Sequence, residues 1–259
     1  MKNHFGILAV MNEPGEKIME AIYPIMSGAI AQEKNLEIIS NNIANVNTAG
    51  FKKDRGLFMG LDPLGDLTPE KDKSVLPVYG FLNQTRTDFS PGAIQSTGEP
   101  LDLAIEGDGF FSVQTPEGIR YTRKGNFTLN SEGQISTAEG GLLMGTSGPI
   151  TLPPGTVHVD QEGKVSVDGS EIDSLQVVSF SNSNNLVKTG GTYFEAGGEG
   201  ALPATEAKIH QGSIEGSNVN PVEEMVSMIR VMRLYEAAQK VIHAVDDMAS
   251  KASNEIGKV

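Results

Sequence analysis

The sequence predicts an α+β protein in which long N- and C-terminal helices pair as an antiparallel coiled coil beside a central, mainly antiparallel β domain. Two observations carry this. Apolar residues near each end of the chain recur in steps of three and four, the seam of an amphipathic helix. Between those ends, 20 of the 30 glycines fall within Gly80–Gly200, where turn signals separate short strand-like pieces.

The first stripe is Ile22, Ile25, Ala29, Gln32, Leu36, Ile39, Ile43 and Val46, broken only by Gln32. Pro24 suits only a first helical turn, where its missing N–H is harmless, so the helix is expected to begin about there. It is expected to stop near Val46–Ala49, with Gly50 taking the left-handed C-terminal position. Such a helix is roughly 35 Å long.

In the middle, Leu101, Leu103 and Ile105 alternate with Asp102, Ala104 and Glu106, and Gly107-Asp108-Gly109 turns the chain into Phe110-Phe111. Further turns at Pro116-Glu117-Gly118, Ser131-Glu132-Gly133, Gln161-Glu162-Gly163 and Asp168-Gly169 separate strand-like Ile119–Thr122, Phe127–Asn130, Thr156–Val159, Lys164–Val167 and Leu175–Phe180. Short strands at this spacing mean an antiparallel sandwich or barrel-like meander. Ser181–Ala207 reads as loop-rich.

The last stripe is Met228, Val231, Tyr235, Ala238, Ile242, Val245, Ala249 and Ala252. Asn220 can cap it, Pro221 suits its first position, and Glu223 stands where a capping box needs it. The expected organisation is residues 1–20 as an N-terminal extension, 21–60 as the N-terminal half of a discontinuous helical domain, 61–83 as connector, 84–207 as the β domain and 208–259 as the C-terminal helical half. The plain alternative for the helices is that they cap the β domain.

Composition excludes whole classes. Lys+Arg 20 against Asp+Glu 33 gives a net charge of −13, the wrong sign for a general nucleic-acid or anionic-membrane binder. The local basic clusters, Lys52, Lys53 and Arg55, then Arg120, Arg123 and Lys124, read as solvated turns. Without cysteine there is no disulfide, thiol nucleophile or Cys zinc site. No apolar run reaches the ~18 residues of a membrane span, and Phe5–Val10 is too short for the core of a cleaved signal.

Asp102, Glu106 and Asp108 are the residues an acid–base enzyme would use, but strand alternation and turn chemistry account for all three. His4, His158, His210 and His243 are scattered without ligand spacing, so neither metal nor cofactor is expected. Asparagine is harder to dismiss: Asn41, Asn42, Asn45 and Asn47 crowd the end of the first helix, and Asn218 and Asn220 precede the last. Asn41 and Asn45 lie one turn apart beside the seam, where polar groups can fix the register of an assembly.

These residues carry a resemblance. Ser40-Asn41-Asn42-Ile43-Ala44-Asn45-Val46-Asn47-Thr48-Ala49-Gly50-Phe51-Lys52 resembles the N-terminal signature of the axial proteins of the bacterial flagellum, the rod and hook proteins. Leu101–Phe111 and Tyr121–Phe127 are similar to the β motifs of the rod proteins, and Gly212–Met248 to the C-terminal signature. Ile22-Tyr23, Met26–Ala29 and Gly148–Pro153 resemble the proximal-rod (FlgF) type, with the distal-rod (FlgG) type the alternative.

The resemblance implies a non-enzymatic subunit of the basal-body rod, which crosses the periplasm and transmits torque from motor to hook. It implies terminal helices lining a hollow helical polymer and export, unfolded and without a cleaved signal, by the flagellar type III apparatus. Implied partners are other rod proteins and further copies of the chain, with no nucleic acid and no membrane insertion. Candidate assembly residues are Ile25, Leu36, Ile39, Ile43 and Val46 in the first stripe, and Asn41, Asn42, Asn45, Asn47, Gly50 and Phe51 at its end. Asn218, Asn220, Met228, Val231, Tyr235, Ile242 and Val245 complete the set. Two further classes stay open: a wall-directed enzyme using Asp102 and Glu106, and a secreted β-rich binding module with helical oligomerisation tails.

Overall fold

The computed structural model describes residues 14–61, 79–198 and 200–256. The chain is α+β: an N-terminal helix, α1 (Pro14–Ala44), a central antiparallel β region, and a C-terminal helix, α2 (Pro221–Ile256). It divides into two units. One draws on residues up to Ile39, on Gly56–Thr85 and on residues from Met225; the other comprises Ser40–Arg55 and Arg86–Glu224.

Helix α1 starts ten residues before the expected position and holds Pro24 in its interior. Pro14 supplies the favourable first-turn proline instead. Pro24 cannot donate to the carbonyl of Glu20, and Ser27 Oγ donates to the Pro24 carbonyl at 2.9 Å. Of the expected extension, residues 1–13 lie outside the described residues and residues 14–20 are helical. At the other end, residues 54–60, expected within the helical half, fall in the strand Asp54–Leu61, which pairs with Tyr79–Thr87. The expected connector falls within those strands and the undescribed residues 62–78.

In the second unit the largest sheet runs edge to edge through Leu186–Gly190, Tyr193–Ala196, Gly118–Thr122, Phe110–Thr115, Leu142–Leu143, Ile135–Ser136 and Thr128–Leu129. Val177–Ser179 also pairs with Phe110–Thr115 and carries Leu202–Pro203. A three-stranded meander, Val157–Val159, Lys164–Val167 and Ser170–Ser174, turns at Asp168-Gly169 as expected. Two short ladders pair Leu103–Glu106 with Lys208–Gln211 and Ile94–Ser96 with Ser213–Glu215. The loop-rich segment Ser181–Ala207 thus also holds three strands: Leu186 and Phe194 are buried, and their apolar burial draws it into the sheet.

Strand Phe110–Thr115 explains the layering. Successive side chains point to opposite faces of a strand. Phe111 and Val113 enter the main core with Leu103, Leu143, Ile150 and Val165, whereas Phe110 joins a second cluster with Val178, Leu186 and Phe194. That second cluster is aromatic, with Phe110 and Phe194 centroids 5.9 Å apart and Phe89 edge-on to Phe110 at 5.7 Å. Leu103–Glu106 departs from simple alternation, because Ala104 is buried along with Leu103 and Ile105.

Backbone contact is close where Gly125 meets Leu103. The Leu103 N–H donates to the Gly125 carbonyl at 2.9 Å, and a Cβ on Gly125 would stand 1.7 Å from the Leu103 carbonyl oxygen. Main-chain atoms cannot yield as a side-chain tip does. Gly125→Ala is therefore expected to destabilise the β unit by at least about 2 kcal/mol, read as a lowered midpoint in urea unfolding.

Candidate functional site

The asparagine-rich end of α1 unwinds in steps. Asn45 N still reaches back four residues to the Asn41 carbonyl, at 3.2 Å; Val46, Thr48 and Phe51 then donate to Ile43, Asn45 and Thr48 in tighter three-residue turns. Asn45 Nδ2 donates to the Asn41 carbonyl at 2.9 Å, and Thr48 Oγ1 donates to Asn45 Oδ1 at 3.2 Å. Asn41 and Asn47 face solvent.

Asn42 does something different. Its side chain is 1% exposed, its Nδ2 donates to the Asp54 carbonyl and its Oδ1 accepts from the Asp54 N–H, both at 2.9 Å. A carboxamide carries the same donor and acceptor as a peptide group, so Asn42 pairs with the start of strand Asp54–Leu61 as a neighbouring strand would.

Beyond this turn lies a buried ionic clasp. Lys52 Nζ is 2.7 Å from Glu215 Oε1 and donates to the Ser90 carbonyl at 2.7 Å. Arg123 Nη1 is 3.3 Å from Glu215 Oε2, and its two terminal nitrogens also donate to the Ile105 and Gly107 carbonyls. Gly92 N completes the Glu215 shell at 2.8 Å. All three charged residues are at most 5% exposed.

Burial pushes the Lys52 ammonium and the Arg123 guanidinium below their ordinary values, and Glu215 opposes both shifts. The solvated-turn reading of the basic clusters thus fails at Lys52 and Arg123. It fails at Lys124 too, which pairs with Glu139 at 2.6 Å and is 13% exposed, as is the Arg120 side chain.

Neighbouring groups seal the clasp. Gly50 has φ +67°, the left-handed position expected of it, and its N–H donates to the Glu215 carbonyl at 2.7 Å. A Cβ there would stand 2.2 Å from Lys124 N. Phe51 is 1% exposed, with Lys188 Nζ 4.1 Å from its ring centroid and salt-bridged to Asp54 at 2.9 Å. Asn218 accepts from Lys53 N and donates to the Asp88 and Ser90 carbonyls. Asn220 caps α2, accepting from Val222 N at 3.1 Å.

Of the candidate assembly residues, Asn42, Gly50, Phe51 and Asn218 are therefore engaged inside the chain. The stripes keep their helical pattern: Ile39 and Val231 are buried, while Ile25, Leu36, Ile43, Val46, Met228, Tyr235, Ile242 and Val245 are half-buried. Beside the second stripe, Met225, Ile229, Met232 and Leu234 are each about half exposed. Sequence reasoning passed over Lys52, Arg123 and Glu215 as a set. The available signal was that each stands in a different one of the quoted motifs, two cations and one carboxylate.

The acids of the enzyme reading have separate partners. Glu106 pairs with His210 at 2.6 Å on the surface, Asp102 bridges to Asn126, and Asp108 sits near Arg123 in its turn. Among the described residues no group of acids and histidines could hold a metal ion, and no helix is long and apolar enough to cross a membrane. A cleft of about 410 Å³ is lined by Thr48, Arg120, Lys124, Glu139 and Tyr193. Burial beside the Glu139 carboxylate pushes the Tyr193 hydroxyl up to about 12.

Three family models match the chain: a flagellar basal body rod protein model over residues 22–52, a flagellar hook protein FlgE/F/G D1 domain over 104–167, and a flagellar basal body rod FlgEFG C-terminal model over 210–255. Among similar proteins, the flagellar basal-body rod protein FlgF of Caulobacter vibrioides is 34% identical over 245 residues, covering 92% of this chain and 98% of the relative. FlgG of Borreliella burgdorferi is also 34% identical, over 263 residues, with the same coverage. FlgG of Bacillus subtilis is 32% identical over 261 residues, covering 92% and 99%.

Removing one member of a buried ion pair strands the other, at about 3–5 kcal/mol. Glu215→Gln strands two cations and is expected to cost that much. Lys52→Met is expected to cost less, because Glu215 keeps Arg123 and Gly92 N; urea unfolding of both variants checks the order. For Tyr193, the unfolded hydroxyl ionises near pH 10 and the folded one at about 12. Its stabilising contribution is therefore complete below about pH 10 and lost as pH rises towards 12. Burial raises the Tyr121 hydroxyl as well, so ultraviolet titration should show late tyrosine ionisation of which Tyr193→Phe removes the part near pH 12.

Proposed function

The chain belongs to the flagellar basal-body rod family and is a structural subunit of the rod, and from that premise we propose that it is the proximal-rod, FlgF-type member. The residues that favour this type are Ile22-Tyr23, Met26–Ala29 and Gly148–Pro153; FlgF and FlgG relatives at the same 34% identity make FlgG the second reading. In the proposal α1 and α2 pair as an antiparallel coiled coil along their stripes and polymerise, with other rod proteins and further copies, into the hollow shaft that carries torque to the hook. The subunit has no enzymatic role. It reaches the periplasmic rod through the flagellar type III export apparatus, and it binds neither nucleic acid nor membrane.

The observation that carries the assembly reading is the face of α2. Met225, Ile229, Met232, Leu234, Val241 and Met248 stand between 46% and 58% exposed, beside a stripe that is already half-covered. Apolar surface on two sides of one helix needs more cover than a single partner helix gives. Ile25, Leu36, Ile39, Ile43 and Val46 then pair with Met228, Val231, Tyr235, Ile242 and Val245, while Asn41, Asn45, Asn47 and Asn220 lie where neighbouring subunits meet. Asn42, Gly50, Phe51 and Asn218 support that surface from inside the chain.

Quantitative peptide mass spectrometry of purified hook–basal bodies tests the reading. A few copies per particle are expected for the proximal position, many copies would move the chain to the distal rod, and none would sink the rod reading for this chain. Ile242→Asp with Val245→Asp is expected to abolish incorporation and motility while leaving urea unfolding of the β unit unchanged. Asn41→Ala with Asn45→Ala should lower incorporation; full copy number in that variant would remove their register role.

A further inference from the structure

The chain has no cysteine and ten methionines, so thioethers are its only oxidisable sulfur. They are not spread evenly. Met225, Met228, Met232 and Met248 lie on α2 and Met19 and Met26 on α1, whereas Met144 is the only methionine between residues 60 and 224. Met225, Met232 and Met248 are 49%, 46% and 58% exposed and Met26 is 42% exposed; Met228 and Met144 are half-buried. Met225 and Met232 are two helical turns apart, with Ile229 between them on the same face.

We propose that Met225 and Met232 form an oxidation-sensitive modification site that gates assembly before the subunit is incorporated. The inference rests on the assembly reading given above. A sulfur lone pair attacks one oxygen of a hydroperoxide; the S–O bond forms as the O–O bond breaks, and the departing oxygen takes up a proton to leave as water or an alcohol. The thioether is oxidised by two electrons to the sulfoxide and the peroxide is reduced.

A flexible apolar side chain thereby becomes a polar one with a strong acceptor oxygen. Two sulfoxides a heptad apart on a face that must be desolvated would weaken subunit contact. Leucine at the same positions keeps the volume and apolarity but cannot be oxidised. Methionine sulfoxide reductase, drawing two electrons from a dithiol that becomes a disulfide, releases the oxygen as water and restores the thioether, so the change is reversible.

The test uses the purified full-length chain, treated with hydrogen peroxide and then freed of it. Peptide mass spectrometry reads the order of oxidation and sedimentation reads the concentration at which the chain self-associates. Met225 and Met232 are expected to oxidise before Met228 and Met144, and the association midpoint to rise at least tenfold. Met225→Leu with Met232→Leu should hold the midpoint within twofold after the same treatment, and methionine sulfoxide reductase should restore the wild-type value. Complete oxidation of both residues with an unchanged midpoint overturns the inference, as does an equal loss in the double variant. Failure of untreated wild type and double variant alike to associate also overturns this inference, whereas the absence of both from purified hook–basal bodies overturns the assembly reading itself.

Discussion

The β unit depends on one arrangement of charge: a single carboxylate, Glu215, held between two buried cations, Lys52 and Arg123. Each comes from a different part of the chain, and each needs the others. Without the carboxylate the two buried cations would lose the ion-pair partner they share, and the carboxylate alone would be an unpaired buried anion. The backbone follows the charges. The Ile105, Gly107 and Ser90 carbonyls accept from the cations, Gly92 donates to Glu215, and the chain after α1 runs against Arg123 and Lys124 so closely that only glycine fits at position 50. Such a centre adds little net stability compared with an apolar core, but it tolerates very few alternative arrangements.

The two helices were legible because their information is local. A three-four stripe, a first-turn proline and an asparagine cap each act within a few residues, and Asn220 and Pro221 define the start of α2 as expected. The same locality misled at Pro24. An interior proline is costly in an isolated helix, yet α1 continues through it towards Pro14. Strands were legible where turns flanked them, as at Asp168-Gly169, and less so in residues 186–203, where Tyr193–Ala196 and Leu202–Pro203 also take partners from outside the segment.

The functional residues divide along the same line. Family motifs pointed at the right stretches of chain but gave their members a single role. Asn42 lies next to Asn41 in sequence, yet one is sealed against Asp54 and the other faces solvent. Lys52 and Lys53 likewise differ by one position: the first is buried in the clasp, while the second offers its backbone N–H to Asn218. No composition or period distinguishes such neighbours, because burial is decided by which distant segment packs over them.

The clasp also sets an order in time. Lys52 and Glu215 are separated by 163 positions. A polypeptide that emerges N-terminus first, from a ribosome or through any narrow conduit, presents Lys52 early and Glu215 only near its end. Until then the segment after α1 has no counter-charge to close on, and the long loop between them must be drawn together before the contact gives anything back. The last fifth of the chain thus acts as a timer, holding the β unit short of its final state until nearly the whole subunit is available.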